Sequence, residues 1–251
     1  MVTKEIVSSR NRVEEAKQAR HTPDATRVKL PPLQSGDRLT RYEFERRYQA
    51  MPHLKKAELI EGVVYMPSPV SVSHGKAHGN IMGWLATYCA ATPGVSSSDN
   101  TTVRLDLDNE VQPDALLRLE TTLGGKCQVS DDDYLAGPPE LIVEVAVSSA
   151  AYDLHDKLKV YRRNGVQEYI VWQIYDKRLD WFRLSEEGEY VPLQADEAGI
   201  IRSQIFPGLN LKVTSLLEGN LADVLAELQK GLDSAEHKAF VKRLKKASAD
   251  R

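Results

Sequence analysis

Seven consecutive residues, Leu141-Ile142-Val143-Glu144-Val145-Ala146-Val147, constrain this chain more than any others. A short run that is apolar on both faces reads as a central strand, covered on either side by other layers. Its middle residue is nevertheless a glutamate. A carboxylate buried there alone carries a large desolvation cost, so Glu144 must be neutralised, paired or bound to a cation. The pattern leaves two readings open: a functional acid, or an acid that meets an arginine or a solvent-facing strand end.

The surroundings predict one α+β domain. Thr40 and Glu43 before Phe44 form a capping-box start, with Leu39 placed to staple onto Phe44, for a helix that stops near Met51-Pro52. Two short strands, 58–60 and 63–66, flank Glu61-Gly62. Ser73 is placed to cap a helix with Ile81, Trp84, Leu85 and Tyr88 at i, i+3, i+4 and i+7, ending before Pro93. Residues 101–107 and 111–119 read as a strand and its return around Asp108-Asn109. After the Leu141–Val147 strand, a helix over 152–163 stops at Asn164-Gly165. Strands over 168–175 and 180–184 form a hairpin through Asp176-Lys177, and short strands continue to Val213. A last helix from about Leu221 packs Val224, Leu225 and Leu228.

With 251 residues and 41% apolar types, a second domain is not needed. Residues 1–36 read as a flexible polar arm, with one short helix over 10–20, residues 37–228 as the folded domain, and residues 229–251 as a basic, solvated helical tail. No apolar run approaches the ~18 residues of a membrane helix. The N-terminus has no apolar signal core, and Cys89 and Cys127 have no CxxC spacing, so a cytoplasmic protein is expected. The net charge of −3 conceals a division: 19 basic against 29 acidic residues in 37–228, and basic excess at both ends. An acidic body does not suit tight duplex binding, although brief contact with nucleic acid or a carboxylate-held metal is compatible with it. A homodimer is one way such a body could build a groove.

Other residues carry chemistry more weakly. Asp114 follows Pro113 at the entry to an apolar stretch, which is also ordinary turn chemistry. Lys157 lies at the edge of the stripe formed by Leu154, Leu158 and Tyr161, where a surface lysine paired with Asp153 is the plainer reading. His74 and His78 have a zinc-compatible spacing but lack the glutamate of HExxH and a third ligand. Gly124-Gly125-Lys126-Cys127 is not a P-loop, and Ser148-Ser149 read as a helix cap. The two cysteines read as inert thiols, and Trp172 and Trp181 as core or hairpin residues with one candidate for base stacking.

Taken together, Asp114, Glu144-Val145-Ala146, Tyr152-Asp153-Leu154, Lys157-Leu158, Tyr161, Gly165-Val166, Glu168-Tyr169 and Trp172 resemble the Uma-type restriction endonuclease family, a branch of the PD-(D/E)xK nuclease superfamily. Upstream, Glu58-Leu59-Ile60-Glu61-Gly62, Pro67-Ser68-Pro69 and His74 match the family's opening signature, and the resemblance spans about Leu39 to Val213. It implies a restriction-endonuclease-like core, a mixed sheet flanked by helices, and a Mg²⁺- or Mn²⁺-dependent endonuclease acting on nucleic acid, most simply DNA. It places Asp114 and Glu144 on the metal, with the Val145 carbonyl as a further ligand and Glu58 as an extra acid.

The chain departs from the superfamily motif at Ala146, where (D/E)xK has its lysine. The resemblance implies that Lys157, from the next helix, replaces it. The alternatives are a module of the same fold that binds without cutting and, more remotely, a zinc hydrolase through His74 and His78.

Overall fold

The computed structural model describes residues 30–66, 69–147 and 153–249. In chain order, helix α1 (Arg41–Gln49) precedes the hairpin β1 (Glu58–Ile60) and β2 (Val63–Tyr65), then helix α2 (Val72–Ala91). Strands β3 (Val95–Asp99), β4 (Val103–Arg104), β5 (Glu110–Val111), β6 (Ala115–Leu119), β7 (Gln128–Val129), β8 (Leu135–Ala136) and β9 (Leu141–Ala146) follow. A π-helical turn, Asp153–Lys157, runs into α3 (Leu158–Asn164), which leads to β10 (Glu168–Gln173), β11 (Arg178–Leu184) and β12 (Tyr190–Pro192). The chain closes with β13 (Ile200–Arg202), β14 (Asn210–Lys212) and helices α4 (Val213–Leu217), α5 (Leu221–Leu232) and α6 (Ala235–Ala249).

The main sheet has the order β12-β11-β10-β9-β6-β3, so β9 is interior as its composition requires. It pairs in parallel with β10 and antiparallel with β6, and all six of its residues are buried. Leu141, Val143 and Val145 face a core built with Ile81, Trp84 and Leu85 of α2 and residues of α5 and α6. Ile142 and Ala146 face a second cluster with Val160 and Tyr161 of α3, and Tyr169 and Val171 of β10. Each fully buried Leu, Ile or Val here contributes roughly 1.5–3 kcal/mol, which is why a glutamate among them needs a local explanation. A second sheet runs β2-β1-β5-β4-β8-β7, and β13 pairs with β14. This is a mixed α+β fold with sheets flanked by helices.

Several local expectations are modified. Thr40 caps α1 by accepting from Glu43 N, but the Glu43 carboxylate binds Arg46 and Arg47, the stronger charged partners, so no reciprocal capping-box bond is needed. Ser71, not Ser73, caps α2, accepting from His74 N at 3.2 Å. The strand expected over 101–107 shortens to β4. The return over 111–119 divides between sheets: β5 belongs to the second, β6 to the main one, with Gln112-Pro113-Asp114 between them. Pro113 has no N–H for a ladder, which suits a break at that point. The helix after β9 begins as a π turn, and α3 ends where Gly165 adopts φ 81°, a left-handed conformation suited to glycine.

The two ends of the domain also differ from expectation. Leu33, expected in the polar arm, is buried with Phe44, Leu59 and Val64. The expected solvated tail is α6, whose Phe240 and Leu244 join the main core, while its lysines stay on the outer side. Gly231 lets α5 approach the Gly208 turn so closely that a Cβ would run into the Gly208 carbonyl oxygen. The arm before residue 30, the expected stop at Pro67 and the Ser148-Ser149 cap lie outside the described residues.

Candidate active site

Strand β9 carries Glu144 on the face of Ile142 and Ala146, because alternate residues of a strand point the same way. Ala115 of β6 opposes Val143, so the antiparallel register carried one residue further sets Asp114 opposite Glu144, and opposed residues share a face. Asp114 therefore owes its position to the break between sheets. Glu58, at the start of β1, ties the second sheet to the same place: its Oε1 accepts the Gln112 N–H at 2.8 Å.

The lysine arrives from the helix layer. Lys157 closes the π turn, a geometry that often occurs at functional positions. Its Nζ lies 2.8 Å from Glu144 Oε1, 3.1 Å from Glu58 Oε1 and 3.8 Å from Asp153 Oδ1. Tyr161, one helical turn on, donates its hydroxyl to Glu144 Oε1 at 2.7 Å. Tyr169 donates to the Asp153 carbonyl at 3.0 Å and packs edge-on against Tyr161, bracing the turn from β10. Glu144 and Lys157 are each only 3% exposed.

Burial pushes the Glu144 carboxyl up to about 8; Lys157 opposes this, and Asp114, Asp153 and Glu58 add to it. Burial alone would lower Lys157, but Glu144, Glu58 and Asp153 outweigh it and hold the ammonium well above its usual range. Burial likewise raises Tyr161, keeping it a hydroxyl donor. Asp114 behaves differently. Burial would raise it, yet the hydrogen bond from His74 and the charge of Lys56 prevail, and its carboxyl is lowered. Its Oδ2 accepts from Val145 N at 2.8 Å and contacts His74 Nε2 at 3.2 Å, while Oδ1 lies 3.9 Å from Lys56 Nζ.

Glu58, Glu144, Asp153 and Lys157 thus meet in one cluster, and Asp114 adjoins it through the Val145 N–H. Two participants were not singled out from the sequence. Tyr161 reads as part of an apolar stripe, although it stands four residues from Lys157, and Lys56 sits in a polar segment with no pattern around it. Trp172 and Trp181 are core residues. Burial pushes both cysteine thiols up, consistent with inert packing. Gly124, at φ 95°, ends a single 3-10 turn.

The donor set suits a hard divalent cation. The carboxyl groups of Glu58, Glu144 and Asp153 gather round one ammonium, and every candidate ligand is oxygen, the donor type such a cation takes. Among the described residues, no three His, Cys, Asp or Glu side chains form a group that could hold a metal. A pair of carboxylates completed by water is a sparse protein shell of the kind Mg²⁺ accepts.

A fold of this class, with an acid on its central strand and a lysine beside it, is that of a restriction-endonuclease-like protein. The chain belongs to the Uma2 family, described as "Putative restriction endonuclease", whose model matches residues 41–214. Its fold is similar to a solved structure from Anabaena variabilis ATCC 29413, described as a putative nuclease belonging to DUF820, at TM-score 0.53 and 11% identity, covering 68% of this chain and 97% of that one. No curated protein matches the chain. Among the described residues, no helix is long and apolar enough to cross a membrane.

Proposed function

We propose that this protein is a metal-dependent endonuclease that uses Mg²⁺ or Mn²⁺ to hydrolyse phosphodiester bonds in nucleic acid, with DNA the substrate suggested by the family's description. The observation that carries the reading is the Lys157 ammonium 2.8 Å from Glu144, which supplies from a helix the charge that Ala146 does not supply from the strand. Asp114 and Glu144 hold the cation, with the Val145 carbonyl as a third oxygen. When bound, such a cation makes water nucleophilic near neutral pH and offsets charge on the phosphate. Lys157 and Tyr161 fix Glu144 Oε1 and so set the orientation of that carboxylate. Lys157 also provides positive charge where negative charge grows in the transition state. Glu58 positions Lys157 and anchors Gln112.

One observation favours a second reading, a module of the same fold that binds without cutting: Lys157 is already engaged by three carboxylates. Incubating the purified protein with supercoiled, linear and single-stranded DNA, with Mg²⁺ or Mn²⁺ and with EDTA, separates the two. Cation-dependent cleavage that is lost in Glu144→Ala supports the nuclease, whereas DNA binding without cleavage under every condition supports the module.

A further inference from the structure

We propose that His74, assisted by His78, is a positioning residue that aims the Asp114 carboxylate at the cation, and that neither histidine is itself a ligand. This rests on the metal-dependent reading above. The two histidines lie four residues apart on α2, hence on one face of the helix, and both turn their Nε2 atoms to the same residue. His78 Nε2 is 2.8 Å from the Asp114 carbonyl oxygen, and His74 Nε2 is 3.2 Å from Asp114 Oδ2.

The tautomers follow from the partners. A carbonyl oxygen only accepts, so His78 carries its proton on Nε2. An ionised carboxylate also only accepts, so His74 donates from Nε2. Both Nε2 lone pairs are thereby absent, which removes the nitrogen geometry that a spacing of four would offer to zinc. Among the described residues, His74 Nδ1 is buried without a hydrogen-bond partner.

The effect falls on the carboxylate. Oδ2 receives two donors, Val145 N–H from the strand that bears Glu144 and His74 from α2. These fix the rotation of the group and leave Oδ1, whose charged neighbour is the Lys56 ammonium at 3.9 Å, as the oxygen to meet a cation. His78 holds the backbone of the same residue just where the chain crosses between sheets. Partners of this kind orient a ligand without touching the metal, and their loss typically weakens metal binding 10–100-fold.

Calorimetric titration of the full-length protein with Mn²⁺ tests the assignment through His74→Ala, His74→Asn and His74→Gln. The glutamine amide nitrogen stands as many bonds from Cα as Nε2 does, whereas the asparagine nitrogen reaches only as far as Nδ1. Ala and Asn are expected to weaken Mn²⁺ binding about 10–100-fold, with Gln within about 3-fold of wild type. A purely structural role would not separate Gln from Asn in this way, and circular dichroism on the same samples verifies folding. Should the alanine variant fail to fold, the Gln–Asn comparison carries the test. Equal affinity in wild type and His74→Ala, or in Gln and Asn, overturns this proposal alone. A wild type that binds no Mn²⁺ overturns the metal reading and this proposal with it.

Discussion

The Lys157 ammonium stands 2.8 Å from Glu144 Oε1, a contact made across thirteen residues of chain. A lysine at position 146 would share the face of Glu144 in the same strand. With alanine there, the charge beside the acid comes from the helix layer instead. The π turn that presents Lys157 and the tyrosine pair behind it belong to the same device. They hold a cation in a place where burial alone would make a carboxylate neutral.

Removing the ammonium should therefore cost stability. Lys157→Ala leaves Glu144, Glu58 and Asp153 facing one another without their shared cation, a loss of about 3–5 kcal/mol for a broken buried pair. Urea denaturation at pH 8 should show it, and the loss should shrink at pH 5, where the acids can take up protons. A variant as stable as wild type at pH 8 would mean that Lys157 is not the neutralising group.

Glu58→Ala tests the tie between sheets. It strands the buried Gln112 N–H, which now donates to Glu58 Oε1 at 2.8 Å, and should cost about 1–3 kcal/mol. Glu58→Gln keeps an acceptor for that N–H and should recover part of it. Equal stability in both variants, measured by the same denaturation, would remove Glu58 from this role.

The C-terminal helix offers a sharper contrast. Phe240 is buried in the main core, so Phe240→Ala should destabilise the whole domain by about 3–5 kcal/mol, lowering the single thermal transition. A loose tail would show no change.

How much of this is legible in the sequence varies with the strength of the local signal. Glu144 stands out because a charge interrupts an apolar run, and the central position of its strand follows from the same run. Asp114 and Lys157 gain weight only through the resemblance, since a Pro-Asp pair and an edge lysine are common in structures of every function. The break at Pro113 is marked only by a Pro-Asp pair that is common in turns of every kind, and nothing local announces that the chain changes sheets there. Helix α6 is obscured by its own lysines: Phe240 and Leu244 are too sparse to read as a stripe, yet suffice once α5 offers a surface. Lys56 joins the site through tertiary approach alone, whereas Tyr161 belongs to the resemblance but reads locally as part of an apolar stripe.

Glu110 gives the pH prediction. Burial and the neighbouring Glu45 push its carboxyl up to about 8 from an ordinary value near 4.5. The folded state then binds more protons than the unfolded one across that interval, so this contribution to stability is full below about pH 4.5 and is lost as pH rises toward 8. Glu110→Gln should flatten that decline and be the more stable protein at pH 8. An unchanged slope between pH 5 and 8 would contradict the assignment.

The most direct test of the catalytic account is the rate of Mg²⁺-dependent DNA cleavage by three folded proteins: wild type, Lys157→Ala, and Ala146→Lys combined with Lys157→Ala. The account predicts a fall of roughly 10²–10³ in Lys157→Ala, the size typical for losing one charge-stabilising donor, with Mn²⁺ affinity little changed and part of the rate restored in the double variant. Full cleavage by Lys157→Ala would contradict it.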